Sequence, residues 1–525
     1  GIEIFKKKSS PEIDNIRQGE YIGDCYFLSA LGSLCEKYDY LKNLIEKVIV
    51  NGMSVGYRVK LNINGKWKYV LVDKYFPFIE NNGNDNLCFG SSFKRELWVS
   101  LFEKAFAKIS GCYARIGFGG KCGDAFDILT DAYSEFHQIA GIDNKRKEEL
   151  WEKLKKEKEK NYVICAGTRK FSFLEKAFYN IGLIDCHAYT MINVYDKTIG
   201  KKRYQLVKLR NPWGEKEYNG DWSDKSSKWK EVENYKNEFE FQDDKDDGIF
   251  YMSYEHFLYY FRCLEILKIE KNYKIMAGCK ISKANAYRCQ IIKFRIKEHK
   301  QNTTHKDPIK VFINLYQKNP RIINKNGKYP QKPVLSFIML AKLDGDNLKY
   351  IDSTTSISEN VMNKYDMHIM INTDLESGTY YIFSDVNYRY IYRNNYGYTI
   401  TTYSEFPVKN LRNITKSVNV KELLKKVMYD YCIEQVEESD DSTEELDIYQ
   451  TDNSDYKLPF NSFCFNNKSD SCIKVQVKII KEEDDNNYCF YCDQKASETD
   501  ESVIKEIMPK SFESFITMPY YSIYN

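Results

Sequence analysis

Long apolar runs are missing from this chain. Nowhere do about 18 apolar residues follow one another, which excludes a membrane-spanning helix. Charge of one sign is missing too: 78 basic side chains face 75 acidic ones across 525 residues, a net charge of +3, so nothing calls for nucleic acid as a partner. The 15 cysteines lack the dense, even spacing of a secreted disulfide scaffold. They read as reduced thiols of an intracellular, cytoplasmic protein, one of them reactive. Histidine is scarce, with six in all, so candidates for a general base are few. No D-x-[DN]-x-[DN]-G loop with a closing Glu is present, which excludes an EF-hand. The chain opens at Gly1 rather than Met and so reads as a fragment, with any targeting or regulatory segment upstream out of view.

What is present has the composition of a soluble globular protein, 42% hydrophobic and 29% charged. Its length suggests three or four domains at about 150 residues each. Residues 1–135 read as a mainly helical lobe. D-C-Y-F-L-S-A-L-G-S-L-C-E-K at 24–37 has helical apolar spacing with Asp24 at the cap, and E-L-W-V-S-L-F-E-K-A-F-A-K at 96–108 is amphipathic. Between them, Tyr57–Leu61 and Trp67–Val72 flank I-N-G-K as a hairpin. Residues 136–270 open with a charged helix, 144–160, whose Lys and Glu side chains form a solvated face. Strand-like runs follow at Tyr162–Ala166, Ala188–Tyr195 and Tyr204–Leu209. Short strands at turn spacing over 271–415 suggest a β-sandwich. Residues 416–456 read as an acidic linker, and 457–525 as a small or partial second β-domain.

Three short segments carry chemistry: Q-G-E-Y-I-G-D-C-Y at 18–26, D-C-H-A-Y at 185–189 and R-N-P-W-G at 210–214. Cys25 stands at a helix start, where the macrodipole and unsatisfied N–H groups lower a thiol's pKa toward the nucleophilic thiolate. Gln18 is placed to offer its amide to an oxyanion beside Cys25. His187 opens a strand and could pair with the thiol as thiolate and imidazolium. Asn211 follows the next strand, where two adjacent antiparallel strands would bring it to His187 to fix the tautomer. Trp213 would shield that bond from water. Taken singly, each has a plainer reading: a buried inert cysteine, an exposed glutamine, a core histidine, a tight N-P-W-G turn.

Taken together, these motifs resemble the calpains, papain-like cysteine proteases with a two-lobed core. Q-G-E-Y-I-G-D-C-Y is similar to their cysteine motif, G-L-I-D-C-H-A-Y and L-R-N-P-W-G-E to their histidine and asparagine motifs, and G-D-W-S-D and D-D-G-I-F-Y-M-S-Y-E-H-F to the end of their core. V-F-I-N-L-Y-Q-K-N at 311–319 is similar, more weakly, to the β-sandwich that follows. The resemblance implies an α+β fold: a Cys lobe, a His/Asn lobe and calpain-type β-sandwich domains. It implies Cys25 as nucleophile, His187 as base and acid, Asn211 as orienter and Gln18 as oxyanion donor, in an endopeptidase making limited cuts in intact proteins.

The resemblance also implies calcium, with a ligand set of Asp14, Asn15 and Asp124 in the first lobe and Glu217, Asp224 and Asp247 in the second. Two positions depart from that pattern. Ile249 stands where a Glu ligand is expected, and Ile13 where an Arg pairs with that Glu across the lobes. Losing both removes one carboxylate and a charge-pair switch, so the second-lobe site is expected to be weakened. No EF-hand small subunit is implied. Peripheral membrane contact through the basic loop R-I-I-N-K-N-G-K at 321–328 is set against a plain solvated loop, and a zinc site at Cys489 and Cys492 against ordinary β-domain cysteines. The rival readings are a transglutaminase, which would place Asp at position 211, and a catalytically silent scaffold docking on membrane or protein partners.

Overall fold

The computed structural model describes residues 3–5, 13–81, 84–92, 96–130, 132, 134–170, 181–241, 247–269, 274–281, 289–297, 308–323, 336–356, 368–386, 397–404, 406, 408–435, 442–451, 461–471, 473–478, 488–490, 502–507 and 511–519. The chain divides into two compact units: Gly1–Lys271 with Asn319–Gln331, and Asn272–Lys318 with Lys332–Asn525.

In the first unit, helix α1 (Cys25–Ser33) is buried along every face from Tyr26 to Ser33. A helix apolar all round belongs inside a core, and here two other helices and a sheet surround it. Phe27 stacks on Phe106 of helix α2 (Trp98–Ser110) at 4.7 Å between ring centres. Gly111, at φ 102°, ends α2 in a conformation open to glycine. Helix α3 (Cys122–Thr130) packs its Ala125, Phe126 and Leu129 into the same core. The hairpin around I-N-G-K has strands Met53–Asn62 and Trp67–Val72. A third strand, Ile45–Val50, joins it through the Asn51-Gly52 turn, where both residues have positive φ.

A second layer is a six-stranded antiparallel sheet of β1 (Ser134–Gln138), β2 (Val163–Thr168), β3 (Ala188–Ile199), β4 (Lys202–Arg210), β5 (Ile249–Ser253) and β6 (Phe261–Leu267), in the order β5-β4-β3-β2-β6-β1. Helix α4 (Asn144–Glu159), capped by Asp143, lays Trp151 and Leu154 on one face. The other face receives α1. Ser29 Oγ donates to the Ala188 carbonyl at 2.9 Å and Thr190 Oγ1 to the Ser29 carbonyl at 2.8 Å. This reciprocal pair sets the register of α1 against the first turn of β3.

In the second unit, two antiparallel sheets share one buried core. Strands β7 (Lys274–Ile281), β8 (Gln290–Ile296), β9 (Ile309–Tyr316), β10 (Ser336–Asp344), β11 (Asn347–Thr355), β12 (His368–Leu375), β13 (Gly378–Val386), β14 (Tyr398–Ser404) and β15 (Lys409–Asn413) form them, in the orders β7-β14-β9-β12 and β11-β10-β13-β8-β15. On β10, Ile338 and Leu340 enter the shared core, while Phe337, Met339 and Ala341 face the other way. Side chains alternate along a strand, so both faces of β10 are buried.

The linker expected over 416–456 is corrected by what covers that second face: helix α5 (Val420–Gln435), which buries Leu424, Val427, Met428, Tyr431 and Cys432 against Phe337, Met339 and Phe383. Those five residues fall at i, i+3, i+4, i+7 and i+8, a helical stripe hidden beside the acidic run. Strand Leu446–Thr451 follows and pairs with Asn461–Asn467. The acidic residues at 436–441 and Cys492 lie outside the described residues.

Candidate active site

His187 and Asn211 stand at the open ends of β3 and β4, whose pairing begins at Thr190 opposite Arg210. Antiparallel register therefore brings the two side chains together, with His187 Nε2 2.9 Å from Asn211 Oδ1. The orientation of the amide is decided by its own partners. Asn211 Nδ2 donates to the carbonyls of Glu215 at 2.8 Å and Lys216 at 3.0 Å. The nitrogen is thus spent, Oδ1 is the acceptor, and Nε2 of the imidazole must carry the proton. That leaves Nδ1 as the basic nitrogen. Asn211 is wholly buried, and its backbone N–H donates to Gly248 at 2.8 Å.

The backbone of His187 is held by Thr168, and its imidazole is flanked by two aromatic rings. Thr168 Oγ1 accepts from the His187 backbone at 2.9 Å, and the Thr168 N–H donates back to the His187 carbonyl at 3.0 Å. Trp213 and Tyr189 present T-shaped contacts at 5.2 and 5.0 Å. Nothing in the sequence around Thr168 marks it for this task.

Cys25 heads α1. Its thiol hydrogen-bonds with the backbone of Ala188, the residue after His187, so the sulfur lies beside the start of the histidine strand. The expectation of a thiol lowered by the helix start is corrected. Burial pushes Cys25 up to about 11, with the Asp24 charge adding to the rise and the Ala188 backbone opposing it. Burial also pushes His187 down to about 4 against the bond to Asn211. In this arrangement both partners are neutral. Alkylation of Cys25 by iodoacetamide, followed by peptide mapping, is therefore expected to be slow at neutral pH. It should climb about tenfold per pH unit toward the thiol's ionisation. A rate that is high and flat from acid to neutral pH would mean the ion pair exists before any substrate arrives.

Asp24 does not cap α1 with its side chain. Its backbone carbonyl accepts from Phe27 and Leu28, while the carboxyl turns inward and is wholly buried. Gln18 is buried on the same side. Its backbone N–H donates to the Pro212 carbonyl at 2.9 Å, and Nε2 donates to the Ile22 carbonyl at 2.7 Å, keeping a second amide hydrogen. Arg210, also buried, reaches from β4 to the carbonyls of Asp14 at 3.1 Å and Ile16 at 2.6 Å. These bonds join the Gln18 segment to the His/Asn lobe. The sequence carries no local sign of Arg210's role, because its partners are backbone carbonyls nearly 200 positions away.

The acids singled out for calcium are not brought together as a cage. In the first lobe Asp124 Oδ2 accepts from Arg321 Nε at 3.1 Å, and that guanidinium lies 5.2 Å from the Tyr26 ring centre. A guanidinium thus sits where a cation would have to bind, so this position does not fit calcium. The same contact corrects the solvated reading of the 321–328 loop at its start: Ile322 is buried and the Ile323 N–H donates to Ile109. In the second lobe Glu217 Oε1 accepts from the Asp247 and Gly248 N–H groups at 3.1 and 2.8 Å, and Asp247 Oδ1 from Ile249 at 3.0 Å. Asn15 is buried, Asp14 lends its carbonyl to Arg210, and Asp224 Oδ1 is buried. Among the described residues, no group of three or more His, Cys, Asp or Glu side chains is placed to hold a metal ion.

Comparison with known proteins finds a family over the first half of the chain. The family model described as calpain family cysteine protease matches residues 4–268. Calpain-5 of Mus musculus is 29% identical over 272 residues, covering 47% of this chain and 41% of that protein. The calpain-type cysteine protease DEK1 of Arabidopsis thaliana is 32% identical over 275 residues, 51% of this chain and 12% of that protein. The calpain-1 catalytic subunit of Macaca fascicularis is 29% identical over 252 residues, 47% of this chain and 34% of that protein. The chain therefore spans less than half the length of these relatives.

Proposed function

The chain belongs to the calpain family of cysteine proteases, and from that we propose an endopeptidase that makes limited cuts in protein substrates with Cys25, His187, Asn211 and Gln18. The observation that carries this reading is the 2.9 Å bond between His187 Nε2 and Asn211 Oδ1, made by an amide with no freedom to turn, beside the strand start that contacts the Cys25 thiol.

In this mechanism the neutral thiol loses its proton to His187 Nδ1 as sulfur attacks the scissile carbonyl. Burial of both groups disfavours the ion pair at rest, so the proton transfer belongs to the attack itself. The spare amide hydrogen of Gln18 and the N–H groups at the start of α1 stabilise the oxyanion. His187 then returns its proton to the departing amine and activates the water that hydrolyses the thioester. Asn211 and Trp213 keep the imidazole oriented and its inner nitrogen dry.

The guanidinium on Asp124 and the isoleucines at 13 and 249 support activity with little need for calcium. The two sheets around one core in the second unit support a β-sandwich reading of residues 271–415. An intracellular, cytoplasmic setting rests on the odd, scattered cysteines, and membrane contact through the β-domains is the weakest of the partner readings.

One experiment tests both the enzyme and its calcium response. An epoxide thiol inhibitor is applied to the wild type and to Cys25→Ala, in calcium and in chelator, with hydrolysis of a loosely folded protein followed in parallel. Labelling and hydrolysis that need Cys25 and persist in chelator are expected. Absence of Cys25-dependent labelling in both conditions would favour a silent scaffold, and a steep micromolar calcium requirement would refute the weak-dependence reading alone.

A further inference from the structure

Directly behind Cys25 lie two acids that the mechanism does not use. Asp24 and Glu103 are both wholly buried, the first at the start of α1 and the second in the middle of α2. Their carboxyl groups lie against each other. Among the described residues, neither Asp24 oxygen receives a hydrogen from a donor group. Two carboxylates are acceptors only, so this contact is a hydrogen bond only when one of them carries a proton. Two bare charges in the same dry site would repel and stay unhydrated.

Glu103 is tied on its other side. Both of its oxygens accept from the Gly90 N–H, at 2.9 and 3.0 Å, and Ser100 Oγ donates to the Gly90 carbonyl at 2.7 Å. A side chain at Gly90 would meet Glu103 at 3.0 Å, so the backbone comes as close as glycine permits. Ser91 and Ser92 then pair with Arg17 and Ile16, the two residues before Gln18. Gly19 rests on the Cys88 and Phe89 backbone, where a Cβ would come within 2.4 Å of the Cys88 carbonyl.

We propose that Asp24 and Glu103 hold one proton between them and act as positioning residues. The pair ties the start of the nucleophile helix to the 88–92 segment, and through that segment to the short strand Ile16–Arg17 just before Gln18. It sets the spacing between the sulfur and the oxyanion donor, and it keeps a single negative charge behind the thiol. This rests on the reading of Cys25 as nucleophile and Gln18 as donor.

Burial drives Asp24 up to about 7 from an ordinary 3.8, and it drives Glu103 well above the usual carboxylate range with the Asp24 charge adding to the rise. The titratable and charged groups facing the pair are Cys25 and Tyr26 on α1 and Tyr113 from the Tyr113–Ile116 turn, with Arg321 beyond Tyr26. All three facing groups keep their protons at neutral pH, since burial pushes each of them up. A group raised on folding stabilises the fold below its unfolded pKa and loses that contribution as pH rises through the folded value. The pair's contribution should therefore fade as pH rises from about 4 through about 7.

The test uses the full chain as wild type, Glu103→Gln, Asp24→Asn and the double variant. Each single carboxamide supplies the shared hydrogen permanently and keeps one charge. Both singles should fold, keep Cys25 alkylation within a few-fold of wild type, and lose the wild type's relative fall in melting temperature as pH rises from about 4 through about 7. The double variant removes the charge behind the sulfur and should raise the Cys25 alkylation rate at neutral pH. Infrared spectra of the wild type should show the carbonyl band of a protonated buried acid that both singles alter. An identical pH dependence of melting in wild type and Glu103→Gln, or no such band, overturns the proposal. If the pH dependence and band are as expected but Cys25 takes no epoxide, the acid pair stands and the nucleophile reading fails. If one single variant does not fold, the other and the wild-type spectrum still decide.

Discussion

Replacing His187 with Ala is expected to lower turnover on the order of 10⁴–10⁶-fold while leaving the melting temperature within a few degrees of wild type. The size follows from what His187 does in the proposed cycle. At rest it is neutral, and it accepts the thiol proton at Nδ1 because Asn211 holds the other nitrogen protonated. Without it, a thiol pushed up to about 11 loses the base that takes its proton during attack. The small stability effect follows from the imidazole's one side-chain bond, since its backbone pairing with Thr168 survives the substitution. Asn211→Ala should cost less turnover than His187→Ala but more stability. It removes a wholly buried amide, the two part-buried bonds it gives to the Glu215 and Lys216 carbonyls and the acceptor for the buried His187 Nε2–H, at about 1–3 kcal/mol. Because the groups act as a unit, Cys25→Ala with His187→Ala should be no slower than Cys25→Ala alone. Steady-state kinetics and a thermal melt on each variant check these outcomes. A His187→Ala enzyme within tenfold of wild type would remove the imidazole from the chemistry.

Replacing Phe106 with Ala should destabilise the first unit by about 3–5 kcal/mol, the range for deleting a buried aromatic side chain. Phe106 is wholly buried, stacks on Phe27 at 4.7 Å and meets Tyr26 edge-on at 6.4 Å. These are the two aromatic residues after the nucleophile. The cavity would open directly under the first turn of α1, against which the strand pairing and the acid pair must hold. Activity at a fixed temperature should fall with the folded fraction, and Phe106→Leu should recover most of both. Chemical denaturation measures the loss. A cost below about 1 kcal/mol would mean that α1 is held by something other than this core.

Some of the site is legible without coordinates, because it rests on patterns short enough to lie in one segment. The helical spacing after Asp24 places Cys25 at a helix start. The two strand-like runs ending near His187 and Asn211 imply a hairpin, and a hairpin brings its open ends together. Departures at Ile13 and Ile249 are also visible in the bare sequence. Helix α5 shows the limit of such reading: its apolar stripe was regular, but a neighbouring run of acids gave the segment the look of a linker.

The sequence by itself therefore determined the types of reactive group, their order, and the elements that carry them, since periodicity and turn chemistry act within a few residues. Only the tertiary structure decided which buried polar groups would meet. Asp24 faces Glu103, Asp124 faces Arg321, Thr168 grips His187 and Arg210 reaches Ile16. The reason is the cost of dry charge. A polar side chain taken from water needs a partner, and that partner comes from whichever distant segment the packing of apolar faces delivers. The same desolvation inverted the expected protonation of Cys25 and His187, an outcome set by depth of burial that no spacing along the chain records.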